Sequence, residues 1–320
     1  MNGARLFLDG AQRIGLRLIK SAQWNGASCT WTVAAPDFAN PRGRRAQQVS
    51  ATGDFYQGTA GIGLFLAQLG AMVDDEAVRR AAAGAIRHSL DFMETKSGSP
   101  FGFHSGWAGP AYAAVRAGCL LGEAEWVERG LDLALRVAQH RPGRNAVDVI
   151  SGLAGSILGA IAIHELHPDP RCIEFAEEAG MLLISLATHE PIGWSWGEAP
   201  TNARGLTGYA HGAAGVEHAF LELYLQTGDD RFAFASRQAA AYQRRWFLPR
   251  DGNWTDLRGP ELAEYVAARD VEGLEAAYFE DRLRPFDSRP MTAWCHGSPG
   301  VGYSQSAFPR IRIGRAIAGG

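Results

Sequence analysis

Two kinds of apolar segment alternate along the chain. Segments such as IGLFLAQLGAMV and SILGAIAIHEL are apolar around most of their circumference, which is typical of buried helices. Between them lie segments with one charged face, such as DEAVRRAAAGAIRHSLDFMETK, and these predict amphipathic helices. The alternation typical of β-strands is limited to the short stretch SCTWTVAA. The pattern therefore predicts a helical protein in which buried and half-exposed helices alternate.

A short glycine pattern precedes each buried segment. Gly-x-x-Gly recurs five times, and an apolar run follows each copy at once. Because glycine lets backbones approach closely, it suits places where the N-termini of inner helices crowd together. We therefore predict an all-α fold, an α/α toroid with an inner and an outer ring of helices and the turns at one end of the inner ring, in a single domain over residues 1–320. The five copies are Gly58–Gly61, Gly106–Gly109, Gly152–Gly155, Gly212–Gly215 and Gly297–Gly300.

The composition narrows the classes of partner and compartment. The net charge is −3 and 46% of the residues are hydrophobic, so the chain can bury a core, and its charge balance argues against nucleic acid as a partner. No apolar stretch reaches the roughly 20 residues of a membrane span, so we expect no membrane association. The four cysteines form no Cys-x-x-Cys pair, which favours the cytoplasm over a disulfide-rich secreted class. Cys119 and Cys172 fall on predicted helices, where we expect core packing.

Three of the turns carry polar residues just before their glycines. Asp148 precedes the third turn in DVISG, His211 precedes the fourth in YAHG, and the pair Cys295 and His296 precedes the fifth in WCHG. If the turns share one end of the inner ring, these side chains gather there although they lie far apart in sequence. The converging helix N-termini would give that end a positive field, which favours anions and thiolates.

These turns resemble those of the lanthionine-synthetase C-type peptide cyclases, from about Asp54 to Gly302. DVISGLAG resembles the family turn that presents a functional aspartate, AHGAAG the turn that presents the active-site histidine, and WCHGSPG the turn that presents the first zinc-ligating cysteine. The resemblance implies Asp148 and His211 as catalytic residues and Cys295 as a metal ligand. It also implies an activity, the addition of a peptide cysteine thiol to dehydroalanine or dehydrobutyrine, which closes a thioether ring.

The implied chemistry suits these residue types. Zinc deprotonates a thiol that it binds, and a histidine near its ordinary pKa can protonate the enolate that forms after attack. The resemblance therefore makes His211 the acid. Asp148 would orient the imidazole or act as a base.

The zinc site that the resemblance implies has two cysteines and one histidine, and only part of this set is visible. Cys295 and His296 are the candidate ligands, and no later Cys-His-Gly turn follows in the remaining 25 residues. Three interpretations stay open: a fragment or shortened chain whose ring is incomplete at the C-terminus, a WCHGSPG turn that supplies both ligands, or a metal-free relative that keeps the acid–base pair. Under each we expect weak or no zinc binding by this chain alone, because a catalytic zinc needs about three protein ligands.

Candidate substrate-binding residues flank the turns. His104 precedes the second turn, Trp294 precedes Cys295, and Trp194 and Trp196 lie in a glycine-rich loop before His211. The two loop tryptophans either form an aromatic lip for a peptide or cover the hydrophobic core. We expect a precursor peptide as substrate, with a kinase or lyase as a candidate protein partner. Two other functions stay open: a non-catalytic, metal-free peptide-binding subunit, and a glycosidase or lyase that would need two carboxylates about 5–10 Å apart.

Overall fold

The computed structural model describes residues 3–36, 46–96, 98–197, 205–258 and 291–306, with a few further positions between 268 and 276. Ten α-helices and eight short strands lie in this described part. The chain divides into two compact units and passes between them at five points, one of which falls within helix α6 (Leu153–Leu166). The prediction of a single domain over residues 1–320 stays a prediction.

The first unit comprises Met1–Pro100, His104–Gln139 and Ala162–Asp169. Its helices pack in pairs, α2 against α3 and α4 against α5, and α2 also contacts α4. Two antiparallel hairpins, β1 with β2 and β3 with β4, follow the first helix, and β2 packs on α3. The elements are α1 (Gly3–Ser21), β1 (Gln23–Asn25), β2 (Ser28–Thr30), β3 (Thr32–Pro36), β4 (Ala46–Ser50), α2 (Thr59–Met72), α3 (Glu76–Thr95), α4 (Ala108–Leu121) and α5 (Ala124–Arg136).

The second unit comprises Phe101–Phe103, His140–Ile161 and Pro170–Gly320. Its central helix is α8, which contacts α7, α9 and α10. Short antiparallel hairpins, β5 with β6 and β7 with β8, connect the helices. The elements are α7 (Pro170–Ser185), β5 (Thr188–His189), β6 (Trp194–Ser195), α8 (Ala213–Thr227), α9 (Asp230–Arg245), β7 (Phe247–Leu248), β8 (Asn253–Trp254) and α10 (Ser298–Ser306).

Two of the amphipathic helices begin at acidic caps. Asp75 accepts hydrogen bonds from the backbone of Ala77 and Val78 at the start of α3, and Asp229 caps α9 in the same way through the amide of Arg231. Each cap satisfies amides that have no partner inside the helix. The apolar positions of α3 recur every three or four residues and are buried, so one face of the helix makes its packing surface.

Most of the apolar helices begin directly after a glycine, and carbonyl groups of the preceding loop accept hydrogen bonds from their first amides. Gly58 and Gly212 are the N-caps of α2 and α8, and neither helix has a side-chain cap. The loop curls back so that the first helical amide donates to the carbonyl seven residues earlier. These bonds join Thr59 to Thr52, Leu153 to Ala146 and Ala213 to Leu206, at 2.8, 3.0 and 2.8 Å.

The second glycine of four of the five turns lies where no side chain fits. A Cβ atom at Gly155 would lie 2.0 Å from the carbonyl oxygen of Val149, and one at Gly215 would lie 2.1 Å from that of Tyr209. Glycine is therefore required by close backbone approach, because the loop crosses directly over the start of the helix.

The predicted all-α fold class is confirmed, because helices dominate the described residues and the strands form only two-stranded pairs. No helix of this part of the chain is long and apolar enough to cross a membrane. Cys172 is buried in α7, as expected, whereas the expectation for Cys119 was wrong: it is exposed on α4. Cys119 shares a helix face with Tyr112 and Arg116, which the packing of α4 leaves partly open.

Candidate active site

Three glycine turns of the second unit carry the predicted site residues. The turns span residues 146–155, 206–215 and 291–300, and each ends on its Gly-x-x-Gly. Asp148 is the third residue of its turn and Cys295 is the fifth. His211 and His296 both take the sixth position, directly before the first glycine. The two histidines therefore take equivalent positions in the sequence of their turns.

Backbone hydrogen bonds hold these three turns side by side. The amide of Val149 donates to the carbonyl of Ala210, and the amide of Ala210 donates to the carbonyl of Cys295, both at 3.2 Å. Val149 and Ala210 are next to Asp148 and His211 in the chain, and Cys295 is itself a site residue. The structure thus brings together Asp148, His211 and Cys295, which are separated by 63 and 84 positions in sequence.

Asp148 and His211 form a hydrogen-bonded pair. Nδ1 of His211 lies 2.7 Å from Oδ2 of Asp148. The other carboxylate oxygen of Asp148 accepts from the amide of Ser151 at 2.7 Å and from its hydroxyl at 3.2 Å, which fixes the carboxylate. The side chain of Asp148 is 14% exposed and that of His211 is 41% exposed. Because Nδ1 is bound to the carboxylate, Nε2 is the ring nitrogen available for proton exchange with a substrate.

His296 packs behind His211. The two rings stack with centroids 5.7 Å apart and an interplanar angle of 27°. Burial and the positive charges of Arg258 and His211 together lower the pKa of His296 to about 4, although the carboxylate of Asp256 opposes them. His296 is therefore a neutral ring at neutral pH that packs against His211.

The chain segment that follows β7 is hydrogen-bonded to both the fourth and the fifth turn. The side-chain carbonyl of Asn253 accepts from the amide of Ser298 at 2.8 Å, and its amide group donates to the carbonyl of Met291 at 3.3 Å. Asn253 thus caps α10 in place of the direct loop-to-helix bond found at the other turns. Two residues on, the carbonyl of Thr255 accepts from the hydroxyl of Thr207 at 3.2 Å. None of the sequence patterns described above predicts these contacts.

The same segment places an ion pair at the site. Arg258 donates from Nε and Nη2 to the two carboxylate oxygens of Asp256, at 2.8 and 2.5 Å. Burial works against ionisation of Asp256, but the Arg258 hydrogen bonds and charge outweigh it, so the pKa of Asp256 is lowered. The hydrogen bond to Asp256 raises the pKa of Arg258, and a Cys295 thiolate acts in the same direction. The pair is therefore ionised at neutral pH.

Cys295 is partly exposed and carries a free thiol. In the described part of the chain, no group of three His, Cys, Asp or Glu side chains is placed to hold a metal ion. Cys295 and His296 therefore do not meet the three-ligand requirement of a catalytic zinc among these residues. The chain after Ser306, on which the expectation of an incomplete ring rests, lies outside the described residues.

The predicted substrate-binding residues have different surroundings. Trp196 is 1% exposed, and its ring nitrogen donates to the carbonyl of Leu183 at 2.7 Å. Of the two interpretations of the loop tryptophans, Trp196 therefore fits the one in which they cover the hydrophobic core. Trp194 is half-buried, and its ring stacks on His189 at 4.7 Å. Trp294 is 38% exposed and next to Cys295, so it can contact a ligand.

His104 belongs to the first unit. Its carbonyl accepts from the amides of Phe55 and Tyr56 at 3.1 and 3.2 Å, and its ring contacts both aromatic rings edge-on. These contacts give His104 a structural role in joining the first two glycine turns. A role in substrate binding stays a prediction.

Two further carboxylates that a glycosidase could use, those of Glu217 and Asp54, are each largely buried. Glu217 is fully buried in α8, and burial raises its pKa to about 8 although a hydrogen bond from Gln243 opposes the shift. Asp54, in the first unit, is 9% exposed, and its carboxylate accepts from the amide of Gln57 within its own turn. Neither is placed like Asp148, which lies beside an exposed histidine.

Comparisons with known proteins identify a family. The model of the family described as lanthionine synthetase C-like protein matches residues 50–310. No curated protein matches the chain. Among solved structures, nisin cyclase is 15% identical with a TM-score of 0.44, and the match covers 60% of this chain and 59% of that one. A family 76 glycoside hydrolase from a bovine Bacteroides thetaiotaomicron strain is 13% identical with a TM-score of 0.43, covering 75% and 57%. The chain thus spans less than two thirds of either structure.

Proposed function

Since this chain belongs to the lanthionine synthetase C-like family, we propose that it closes thioether rings in a precursor peptide. The reaction would add a cysteine thiol of the peptide to dehydroalanine or dehydrobutyrine. The observation that supports the proposal best is the 2.7 Å bond between Asp148 and His211, with Cys295 on the adjacent turn. A carboxylate that fixes one nitrogen of an exposed histidine is the arrangement that proton transfer at a substrate needs.

The proposed reaction moves one proton from sulfur to carbon. Nε2 of His211 takes the thiol proton, and the sulfur then bonds to the β-carbon of the dehydroamino acid. The electrons of the carbon–carbon double bond shift toward the carbonyl group and form an enolate. The imidazolium of His211 returns the proton to the α-carbon, so no other reactant is consumed. Asp148 holds the ring in place and stabilises its charged form throughout.

Whether an imidazole is a strong enough base depends on the free-energy cost of the first proton transfer. Ordinary pKa values are about 8.5 for a thiol and about 6.5 for histidine, so the proton transfer costs about 2.7 kcal/mol. That cost is small beside the barriers that enzymes lower, typically by about 8 kcal/mol or more. The histidine–carboxylate pair can therefore prepare the thiolate, and we propose weak or no zinc binding for this chain.

The proposal assigns a substrate class and a type of partner. Dehydroalanine and dehydrobutyrine arise when serine and threonine lose water, so a dehydrating kinase or lyase would supply the substrate. The exposed Trp294 beside Cys295 offers a surface for the peptide.

A synthetic peptide with one dehydroalanine and one cysteine, four residues apart, tests the proposal. Ring closure is followed as the loss of thiol that reacts with N-ethylmaleimide, against the rate without protein. We expect His211→Asn to lower kcat by about 100- to 10,000-fold. The exposed His140, changed to Asn, is the matched control and should leave the rate unchanged.

Two outcomes would contradict the proposal. If the wild-type chain closes the ring no faster than buffer, it is not a cyclase for such peptides. If His211→Asn is as fast as wild type, the proton does not pass through this residue. Binding of the fluorescently labelled peptide without ring closure would instead favour a non-catalytic peptide-binding subunit.

A further inference from the structure

The packing of α4 leaves one narrow face of this helix open. Nine of its 14 residues are buried, and the residues that are not fully buried include Tyr112, Arg116 and Cys119. Spacings of four and three residues place these side chains in one row along the helix, with neighbouring Cβ atoms about 5–6 Å apart. Arg116 is the middle residue of the row, so a basic group lies between an aromatic ring and an exposed thiol.

The side chain of Arg116 has no partner among the residues that the structure describes. Its Nε is buried and meets no hydrogen-bond acceptor, and no ion pair or ring contact involves the guanidinium. Two other helical arginines of the first unit do have partners: Arg87 lies over the ring of Trp126, and Arg129 donates to Glu94. A buried N–H without an acceptor costs free energy, and native structures rarely contain one unless a water or an ion accounts for it.

The terminal end of Arg116 points to the open side of α4. Of its three side-chain nitrogens, Nε is the one that is buried without an acceptor, so the two Nη groups form the accessible end of the guanidinium. Neither neighbour in the row, Tyr112 or Cys119, is a carboxylate. No carboxylate of the described residues therefore pairs with this charge, either from the interior or along the face. The two Nη groups form a planar fork whose donors match the two oxygens of a carboxylate.

We propose that Arg116 is an anion-binding residue of the first unit, and that its ligand is a carboxylate held by the two Nη groups on the open face of α4. One guanidinium carries one positive charge, which the single negative charge of a carboxylate balances. Tyr112 and Cys119, one turn before and one turn after, border the bound group. The site gives the chain a contact for an acidic ligand and does not rest on the proposed ring closure, because Asp148 and His211 belong to the second unit.

Alkylation of Cys119 tests this site, because its thiol lies one turn after Arg116. Iodoacetate carries a carboxylate and iodoacetamide is its neutral amide, so the ratio of their rates reports attraction of the carboxylate and cancels the thiolate fraction. Mass spectrometry separates Cys119 from Cys295, a partly exposed thiol of the second unit that serves as the internal reference. At low salt we expect Arg116→Gln to lower the ratio at Cys119 at least about threefold, the effect of one charge at about 6 Å in water. The ratio at Cys295 should stay constant.

Two further arms separate a bound carboxylate from a general attraction of anions. Arg116→Lys keeps the charge but lacks the planar fork, so its ratio at Cys119 should be less than about half of the wild-type ratio. Acetate at about 50 mM, compared with chloride at the same ionic strength, should slow iodoacetate at Cys119 and leave iodoacetamide unchanged. A wild-type ratio in Arg116→Lys would overturn the fork, and a slowing by inorganic phosphate but not by acetate would overturn the choice of a carboxylate.

The controls separate a local charge from a loss of structure. Arg13→Gln removes an exposed arginine of α1 in the same unit and should leave both ratios unchanged. Cys29 is buried in the first unit and should stay unlabelled in every variant, which shows that the unit is folded. Raising salt from about 20 mM to about 500 mM needs no substitution and should lower the wild-type ratio at Cys119 by screening. Equal ratios in Arg116→Gln and wild type, or a wild-type ratio that ignores salt, would mean that water alone meets the guanidinium, and the proposal fails.

Discussion

The glycine turns make a prediction about stability that does not depend on function. In Gly212→Ala, the new Cβ would lie 2.3 Å from the carbonyl oxygen of Leu206, where ordinary contact begins at 3.4 Å. The backbone φ of Gly212 is −146°, which any residue adopts, so the effect is steric alone. The obstacle is backbone that also bonds the first amide of α8. Since overpacking typically costs about 1–3 kcal/mol and backbone cannot rotate away, we expect about 3 kcal/mol.

Thermal unfolding measures this cost directly. For a chain of 320 residues, about 3 kcal/mol lowers Tm by roughly 4–5 °C. Gly143→Ala is the matched control in the same unit, because nothing lies within 4 Å of its added Cβ. If Gly212→Ala unfolds at the same temperature as Gly143→Ala, the turn is not closed by backbone contact and the description of it is wrong.

Three further substitutions test the site and the core. Asp148→Asn should lower kcat of ring closure about 100- to 1000-fold. Asp54→Asn, which alters the same kind of turn in the first unit, should not lower kcat. Equal losses in the two variants would mean that Asp148 acts only on structure. The pKa of Glu217 is raised to about 8, so its contribution to stability is fully present below about pH 4.5 and is lost as pH rises through 8. In urea unfolding, the stability of Glu217→Gln relative to wild type should therefore increase from pH 5 to pH 9. Parallel curves for the two proteins would contradict this. Trp196→Ala should cost about 3–5 kcal/mol by urea unfolding, and a cost below about 1 kcal/mol would place Trp196 at the surface.

The sequence predicts the fold class and part of the site because both depend on local features. A glycine pair before an apolar run marks the start of each buried helix, and the candidate polar residues lie within the six positions before that pair. Asp148 and His211 could therefore be named together, and they are hydrogen-bonded to each other. Their catalytic roles stay proposals.

Other parts of the site depend on contacts that no local pattern reveals. Arg258 reaches the site because the side chain of Asn253 bonds the fifth turn, and neither residue lies in a repeat. Trp196 lies in a glycine-rich loop, yet its ring packs against Phe220 with centroids 5.7 Å apart and is buried away from solvent. The composition of the loop could not show whether its tryptophans form a lip that binds a peptide or cover the hydrophobic core, because tertiary packing decides between the two.

The central claim, that His211 delivers the proton to the α-carbon, is tested most directly by the configuration of the product. A donor fixed on one face of the enolate yields one diastereomer, whereas protonation by solvent yields a mixture. The wild-type chain should convert the dehydroalanine peptide into a single diastereomer of the thioether. His211→Asn should leave only slow closure to a mixture, as without protein. A single diastereomer formed by His211→Asn at the wild-type rate would contradict the account.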